Sequence, residues 1–321
     1  MTAQVNSASA SAPASIGNVA VGFDVLGQAF DAARDRVIAY REPAPGVRLG
    51  QVAGLVDTLP ETPDSNTALA AAEALLRAAR APFGVRLDID KGVPVSAGMG
   101  GSAASAVAAA AAVNALLPKP YATEALLPFA MEGERVSSDP PPWDNVMASL
   151  LGGLVIAADI EAGLVQRLPA PAGVASILFH PDAKTETRAA RALLAGQVPM
   201  ALAVEHARRI ASFVAGCATN DEALIRAGMQ DVLVEPQRLA LLPQLSAVQT
   251  AAGKAGALGC SFSGSGPSVF AWAYEADAEA VQAAMAQAFA DAGLGARAYR
   301  APIQSDGVRL EPCPPYSEAA Q

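Results

Sequence analysis

Apolar and polar residues alternate over 85–89, and apolar residues run together over 36–40, 153–157, 174–179 and 268–273. Both patterns predict strands, the first with one wet face and the others with little exposure on either side. Apolar positions spaced by three and four predict helices over 67–79, 102–117, 121–132, 200–215 and 277–292. Asn66 or Thr67 is placed to cap the first of these, and Asp277 precedes the last. Strands and helices in this mixed order, with antiparallel pairing open to them, predict an α+β sandwich and not a parallel doubly wound sheet. A turn at Glu161-Ala162-Gly163 leads into Pro169-Ala170-Pro171 and suggests two domains, 1–158 and 159–321, with no internal repeat.

The segment 92–118 has no charged residue, which raises the question of a membrane span. Its helix would be roughly 24 Å long, short of the ~30 Å hydrocarbon core, and it is built mainly of alanine. A soluble helix is expected instead. At 321 residues the chain is long enough for two real cores, and 52% hydrophobic content with 5% aromatics means that alanine, valine and leucine build them. A formal charge of −9 with no basic run gives nucleic-acid binding no electrostatic support. Cys217, Cys260 and Cys313 are too scattered for a disulfide framework or a zinc site, which fits the cytoplasm, and the N-terminus does not read as a signal peptide.

Chemistry concentrates first in Pro94-Val95-Ser96-Ala97-Gly98-Met99-Gly100-Gly101-Ser102-Ala103-Ala104-Ser105, which runs into the alanine helix. Glycines at 98, 100 and 101 let backbone approach a ligand, and Ser102 and Ala103 fall in a first helical turn, where unpaired N–H groups favour an anion. The segment reads as a loop for nucleotide phosphates. Close helix packing without any ligand fits the same residues, and Gly100-Gly101-Ser102-Ala103-Ala104 loosely resembles the Gly-x-Ser-x-Gly hydrolase elbow. The elbow requires a strand ending at the serine, whereas the 85–89 strand stops well before it. No lysine precedes Ser102 as the common nucleoside-triphosphatase loop would require. His180 and His206 are the only histidines, and both read as structural.

Two further segments matter together with this loop. They are Ala12-Pro13-Ala14-Ser15-Ile16-Gly17-Asn18-Val19-Ala20-Val21-Gly22-Phe23-Asp24-Val25-Leu26-Gly27 and Ser263-Gly264-Ser265-Gly266-Pro267-Ser268. The ordered set resembles the three signature motifs of the kinase superfamily that includes galactokinase, homoserine kinase, mevalonate kinase and phosphomevalonate kinase. Glu132-Gly133-Glu134, Asp144-Asn145-Val146, Leu151-Gly152-Gly153, Thr187-Arg188-Ala189-Ala190-Arg191, Glu235-Pro236-Gln237-Arg238 and Asp306-Gly307-Val308 are similar to stretches of its homoserine kinase family. The resemblance thus covers nearly the whole chain.

That resemblance implies a two-domain α+β fold, with an N-terminal ribosomal-protein-S5-like domain and a C-terminal ferredoxin-like α/β sandwich. It implies ATP and Mg2+ as cofactors and phosphorylation of the L-homoserine side-chain hydroxyl to O-phospho-L-homoserine, a step of threonine biosynthesis. Asn66, Pro94, Ser96, Gly98, Met99, Gly100, Gly101, Ser102, Ala103 and Ala104 would surround ATP, with Ser102 and Glu134 also on magnesium. Asn18, Asp24, Thr187, Arg191 and Arg238 would hold the amino-acid substrate, and Asn18, Asp24, Ser102 and Glu134 would form the catalytic set. The partners are then small molecules, with no nucleic acid and no membrane, and a homodimer stays open. Each role has an ordinary counterpart: a helix cap for Asn66, a turn residue for Asp24, a solvated glutamate for Glu134, a surface ion pair for Arg191. Pro142 stands where the family has a histidine, Gly101 where it has a serine, and Ile16-Gly17 where Ser-Ala is commoner. Another small alcohol as acceptor, or a nucleotide-binding sensor without turnover, are the alternatives these departures leave.

Overall fold

The computed structural model describes residues 5–313 apart from 139, 184, 186 and the side chain of Thr187. The chain opens with two long antiparallel strands, β1 (Ser7–Gly17) and β2 (Leu26–Glu42), then β3 (Val47–Gly54), α1 (Thr67–Ala78), β4 (Gly84–Lys91), α2 (Gly101–Asn114), α3 (Leu127–Glu134) and α4 (Trp143–Leu151). The β5 (Leu154–Asp159) and β6 (Leu164–Leu168) hairpin follows, then β7 (Val174–Pro181), α5 (Thr187–Ala192), α6 (Met200–Thr219), α7 (Glu222–Gly228), α8 (Glu235–Arg238) and α9 (Leu245–Lys254). The chain closes with β8 (Gly259–Phe262), β9 (Val269–Tyr274), α10 (Ala278–Asp291), β10 (Ala296–Pro302) and β11 (Arg309–Glu311).

The larger sheet runs β11-β1-β2-β4-β3, with β5 on the far end of β2 and β6 on β5; only β3 and β4 pair in parallel. In β1 the inward positions are Ala8, Ala10, Ala12, Ala14 and Ile16, all buried, so strand periodicity is kept by the smallest apolar side chain. This suits the partner that crosses it. From Ala103 to Asn114 every residue of α2 is buried, mostly alanine, and the helix lies against β1 and β2 with α1, α3 and α4 around it. Small residues on both sides let backbone approach backbone, and an all-round apolar helix is a buried one.

The smaller sheet, β10-β7-β9-β8, is antiparallel throughout. Its two faces separate cleanly by the two-residue period. Ile177, Phe179, Val269, Ala271 and Ala273 face α9 and α10, while Leu178, Phe270 and Trp272 join the core of the larger sheet. Between the sheets the buried Gln28 donates from Nε2 to Ser176 Oγ (2.8 Å) and accepts from Trp272 Nε1 (2.8 Å).

The expected helix over 121–132 is a 3-10 turn, Thr123–Leu126, followed by α3, because Pro128 starts a helix and cannot sit inside one. The expected strand 36–40 is the end of the much longer β2, and α2 stops at Asn114, whose side chain bonds Tyr121 instead of continuing the helix. The division expected at 158/159 falls inside β5, and β6 and β11 both belong to the larger sheet.

Candidate active site

The glycine-rich loop leaves β4 at Gly92 and enters α2 at Gly101. Gly100 caps α2 with φ +64°, and a Cβ there would lie 2.0 Å from Ser15 Oγ. Gly98 has φ +72° and faces the glycine cluster after β8: its added Cβ would be 2.6 Å from the carbonyls of both Ser263 and Gly266. Both positions require glycine on two counts, dihedral and space. Ser263 Oγ donates to the Gly98 carbonyl (2.6 Å) and the Ser15 N–H to the Met99 carbonyl (3.0 Å), so the three separated motifs meet here.

The cleft they enclose has a volume of about 530 Å³. At one end Ser102 Oγ donates to Glu134 Oε2 (3.1 Å), and Ser137 Oγ donates to Glu134 Oε1 (2.5 Å). Glu134 closes α3 and is 1% exposed; burial pushes its carboxyl above the usual range, against those two hydrogen bonds. Asn66 caps α1, accepting from Ala68 N–H (3.0 Å) and donating to the Pro60 carbonyl (2.8 Å), while Thr67 Oγ1 ties α1 to the Ser102 carbonyl (3.0 Å). Asn66, Ser96, Gly98, Gly100, Gly101, Ser102 and Glu134 all line the cleft. Pro94, Met99, Ala103 and Ala104 carry the loop and the first turn without lining it, and Met99, Ala103 and Ala104 are buried beneath it.

At the other end the β1–β2 turn presents Asn18 and Asp24, both with positive φ. Asn18 Nδ2 donates to the Gly264 carbonyl (2.8 Å), and its Oδ1 accepts from the Asp24 N–H (3.1 Å), which fixes the direction of the Asp24 side chain. Arg191 reaches from α5 to make a two-pronged contact with Asp24, at 2.8 and 3.0 Å. Arg238, 3% exposed, donates to the carbonyls of Ala190 and Gly264 (both 3.3 Å) and forms an ion pair with no carboxylate among the described residues. The Phe23 ring centroid lies 5.3 Å from the Arg191 guanidinium carbon and 5.2 Å from that of Arg238. Thr187 begins α5, but its side chain lies outside the described residues.

Some lining groups carry no signal that the sequence reading used. Asp144 and Asn145 line the cleft, and in sequence they stand out only as part of the Asp144-Asn145-Val146 motif. The buried Asp144 carboxyl accepts from the N–H groups of Asn18 (2.8 Å) and Asn145 (2.8 Å), and burial first, then the Asp24 charge, push it up to about 7. Asn145 Oδ1 accepts from Ser15 Oγ (2.9 Å). Lys91 and Arg188 line the cleft as well, and Pro142 is the N-cap of α4 at its wall.

Oxygen donors are what a magnesium ion would meet here. Ser102 Oγ and Glu134 Oε2 are in contact, and a buried carboxylate whose nearest partners are hydroxyls suits a hard cation. Among the described residues no three His, Cys, Asp or Glu side chains gather to hold a metal unaided, so phosphate and water would complete such a shell. Among the described residues no histidine lines the cleft, and Ser102 donates to a glutamate, so that serine lacks the histidine base of a hydrolase triad. No helix among the described residues is long and apolar enough to cross a membrane.

Residues 66–153 match the GHMP kinases N terminal domain and residues 213–291 the GHMP kinases C terminal domain. The chain is 44% identical over 306 residues to the homoserine kinase of Xylella fastidiosa (strain 9a5c), covering 94% of each. It is 45% identical over 307 residues to that of Xanthomonas campestris pv. campestris (strain B100), again with 94% of each covered. The crystal structure of homoserine kinase from Cytophaga hutchinsonii superposes with a TM-score of 0.92 at 36% identity, covering 97% of this chain and 99% of that one. A glycine loop braced by two other motifs over a charged cleft, in a chain this close to these relatives end to end, makes the conclusion plain: the chain belongs to the GHMP kinases and, within them, to the homoserine kinase family.

Proposed function

We propose that this chain transfers the γ-phosphoryl group of ATP to the side-chain hydroxyl of L-homoserine, giving O-phospho-L-homoserine and ADP. The observation that carries the reading is the polarity of one cleft. Its phosphate end is a glycine loop on a helix N-terminus; its other end holds Asp24, Arg191 and Arg238, complementary to an ammonium and a carboxylate on one small acceptor.

Phosphoryl transfer asks the protein for position and charge stabilisation more than for covalent chemistry. The amides around Gly98 to Ala104 receive the phosphates of ATP, Thr67 ties α1 to that loop, and Asn66, the cap of α1, lines the ATP end of the cleft. Ser102 and Glu134 would hold Mg2+, which when bound neutralises charge on the phosphate oxygens. Asp24 takes the substrate ammonium, Arg191 and Arg238 its carboxylate, and Asn18 aims Asp24 through its backbone N–H. Thr187 is assigned to the acceptor side by its place at the start of α5. Asp24 is engaged by Arg191 and Asp144 by two backbone amides, so the reading gives the hydroxyl proton to the transferred phosphoryl group and not to a side chain. Pro142 leaves the acceptor hydroxyl without the imidazole the family offers there.

The test is ADP release from Mg-ATP with L-homoserine, against no alcohol, mevalonate, galactose and L-serine. Homoserine-dependent release well above every control is expected. Release with another alcohol alone would move the substrate to that alcohol and overturn this assignment.

A further inference from the structure

Beneath the phosphate loop lies a charge pair that the reaction as proposed does not use. Asp35, in the middle of β2, is 0% exposed, and Lys91, the last residue of β4, is 3% exposed. The two form an ion pair. The carboxylate is saturated: Oδ1 accepts from the N–H groups of Gly92 (3.1 Å) and Val93 (2.9 Å), and Oδ2 from Lys91 Nζ and Ser105 Oγ (2.6 Å). So is the ammonium. Its three donors go to Asp35, to the Gly101 carbonyl (2.9 Å) and to Ser105 Oγ (2.9 Å).

These attachments fall on both ends of one loop. Gly92 and Val93 are where the chain leaves β4, while Gly101 and Ser105 lie in the first two turns of α2. We infer that Asp35 is a positioning residue of the nucleotide site: through Lys91 and Ser105 it fixes the span of the loop that receives ATP. The inference rests on the proposed function. A loop stabilises phosphate charge only if its amides already stand where the oxygens will be, and a saturated polar network on a strand supplies that fixity. A lysine lining a phosphate cleft would ordinarily be read as a ligand of the phosphates. Here its donors are committed to the protein, and releasing them would loosen Gly101 at the helix N-terminus.

The two roles make opposite predictions. If Lys91 bound phosphate directly, Asp35→Asn would free the ammonium and tighten ATP. If the pair is a clamp, Asp35→Asn weakens ATP, and Asp35→Asn/Lys91→Met, which removes both charges, is no weaker than Asp35→Asn alone. The experiment measures the Kd for Mg-ATP by calorimetry, the homoserine KM and the melting temperature for wild type, both of these variants and Ser105→Ala. Asp35→Asn is expected to raise the ATP Kd by about 10- to 100-fold while the homoserine KM of the folded enzyme holds, as displaced supporting residues do. A purely structural role would lower the melting temperature and leave the Kd of the folded protein alone. Should Asp35→Asn fail to fold, Ser105→Ala decides, since it keeps the ion pair and the Lys91 bond to Gly101 and removes only the Ser105 tie to the second turn of α2; an unchanged Kd there overturns the inference. So does an Asp35→Asn enzyme that binds ATP as tightly as wild type or more so. A wild-type chain that binds no nucleotide would overturn the proposed function and this inference with it, whereas tight binding by wild type and variant alike overturns the inference alone.

Discussion

Gly98→Ala separates two costs that usually arrive together. At φ +72° a side chain carries a dihedral penalty of roughly 1–2 kcal/mol. The added methyl also sits 2.6 Å from two backbone carbonyl oxygens, of Ser263 and Gly266, where ordinary contact begins at 3.4 Å. Neither carbonyl can rotate away as a flexible side chain would, so the loops must part by about 0.8 Å, an overpacking cost of about 1–3 kcal/mol. Gly163 is the matched control, because its φ is +66° and nothing lies within 4 Å of an added Cβ. Gly163→Ala should therefore show the dihedral cost alone, a fall in Tm of a few degrees at about 2–4 °C per kcal/mol. Gly98→Ala should lose more Tm and also lose about 100-fold in kcat/KM for ATP, since a shift near 1 Å in a phosphate-positioning loop carries a penalty of that order. Steady-state kinetics with varied ATP and a thermal melt of each variant suffice. Wild-type kinetics in Gly98→Ala, or equal damage from Gly163→Ala, would refute the steric account.

Ser102→Ala and Glu134→Gln should each cut kcat by about 100-fold or more with a nearly unchanged melt, as loss of one charge-stabilising contact does; near wild-type turnover in either would remove the magnesium assignment. Arg191→Ala and Arg238→Ala should raise the homoserine KM and leave the ATP KM in place, and an unchanged homoserine KM would take that arginine out of the substrate site. Asp144 in the folded protein titrates near 7 against an ordinary 3.8. Its contribution to stability is therefore fully present below about pH 4 and lost as pH rises through 7. Asp144→Asn should flatten this loss, measured as urea midpoints at pH 5 and pH 8; parallel curves for the two proteins would refute it.

The parts of the fold that announced themselves were those with a distinctive local composition. The helix at α2 was legible because a charge-free alanine run behind glycines has few other uses, and β7 and β9 because they concentrate valine, isoleucine and aromatics. β1 was not legible as a strand. Ser7–Gly17 alternates serine and alanine, two small residues that differ little in size and include none of the bulky β-formers, and Ser9 and Ser11 are buried as well, at 2% and 4% exposed, so the period is present but does not mark one face as core. What makes it a strand is tertiary: α2 needs a flat partner without bulk. The site divides the same way. Residues within a motif, such as Ser102 and Asp24, were nominated by their neighbours in sequence. Asp35 and Lys91 were not, because each is one charged residue in an ordinary strand until β2 and β4 pair and bring them under the loop. Asn66 shows the reverse case, where the structure displays the capping role that its sequence position equally allowed.

The short strand β11 has a consequence for how the molecule comes into being. Ser9, Ala10 and Ser11 near the start of the chain pair with Glu311, Leu310 and Arg309 some three hundred positions later, and Ser11 Oγ donates to Glu311 Oε1 at 2.6 Å. During synthesis the outer edge of β1 therefore stays open until residues 309–311 have been made, an unpaired edge of the kind on which other chains can add. The larger sheet, most of it made first, is finished by a strand made late. A nascent chain stalled before residue 309 would hold all three signature motifs and still present an unpaired sheet margin along Ser9–Ser11.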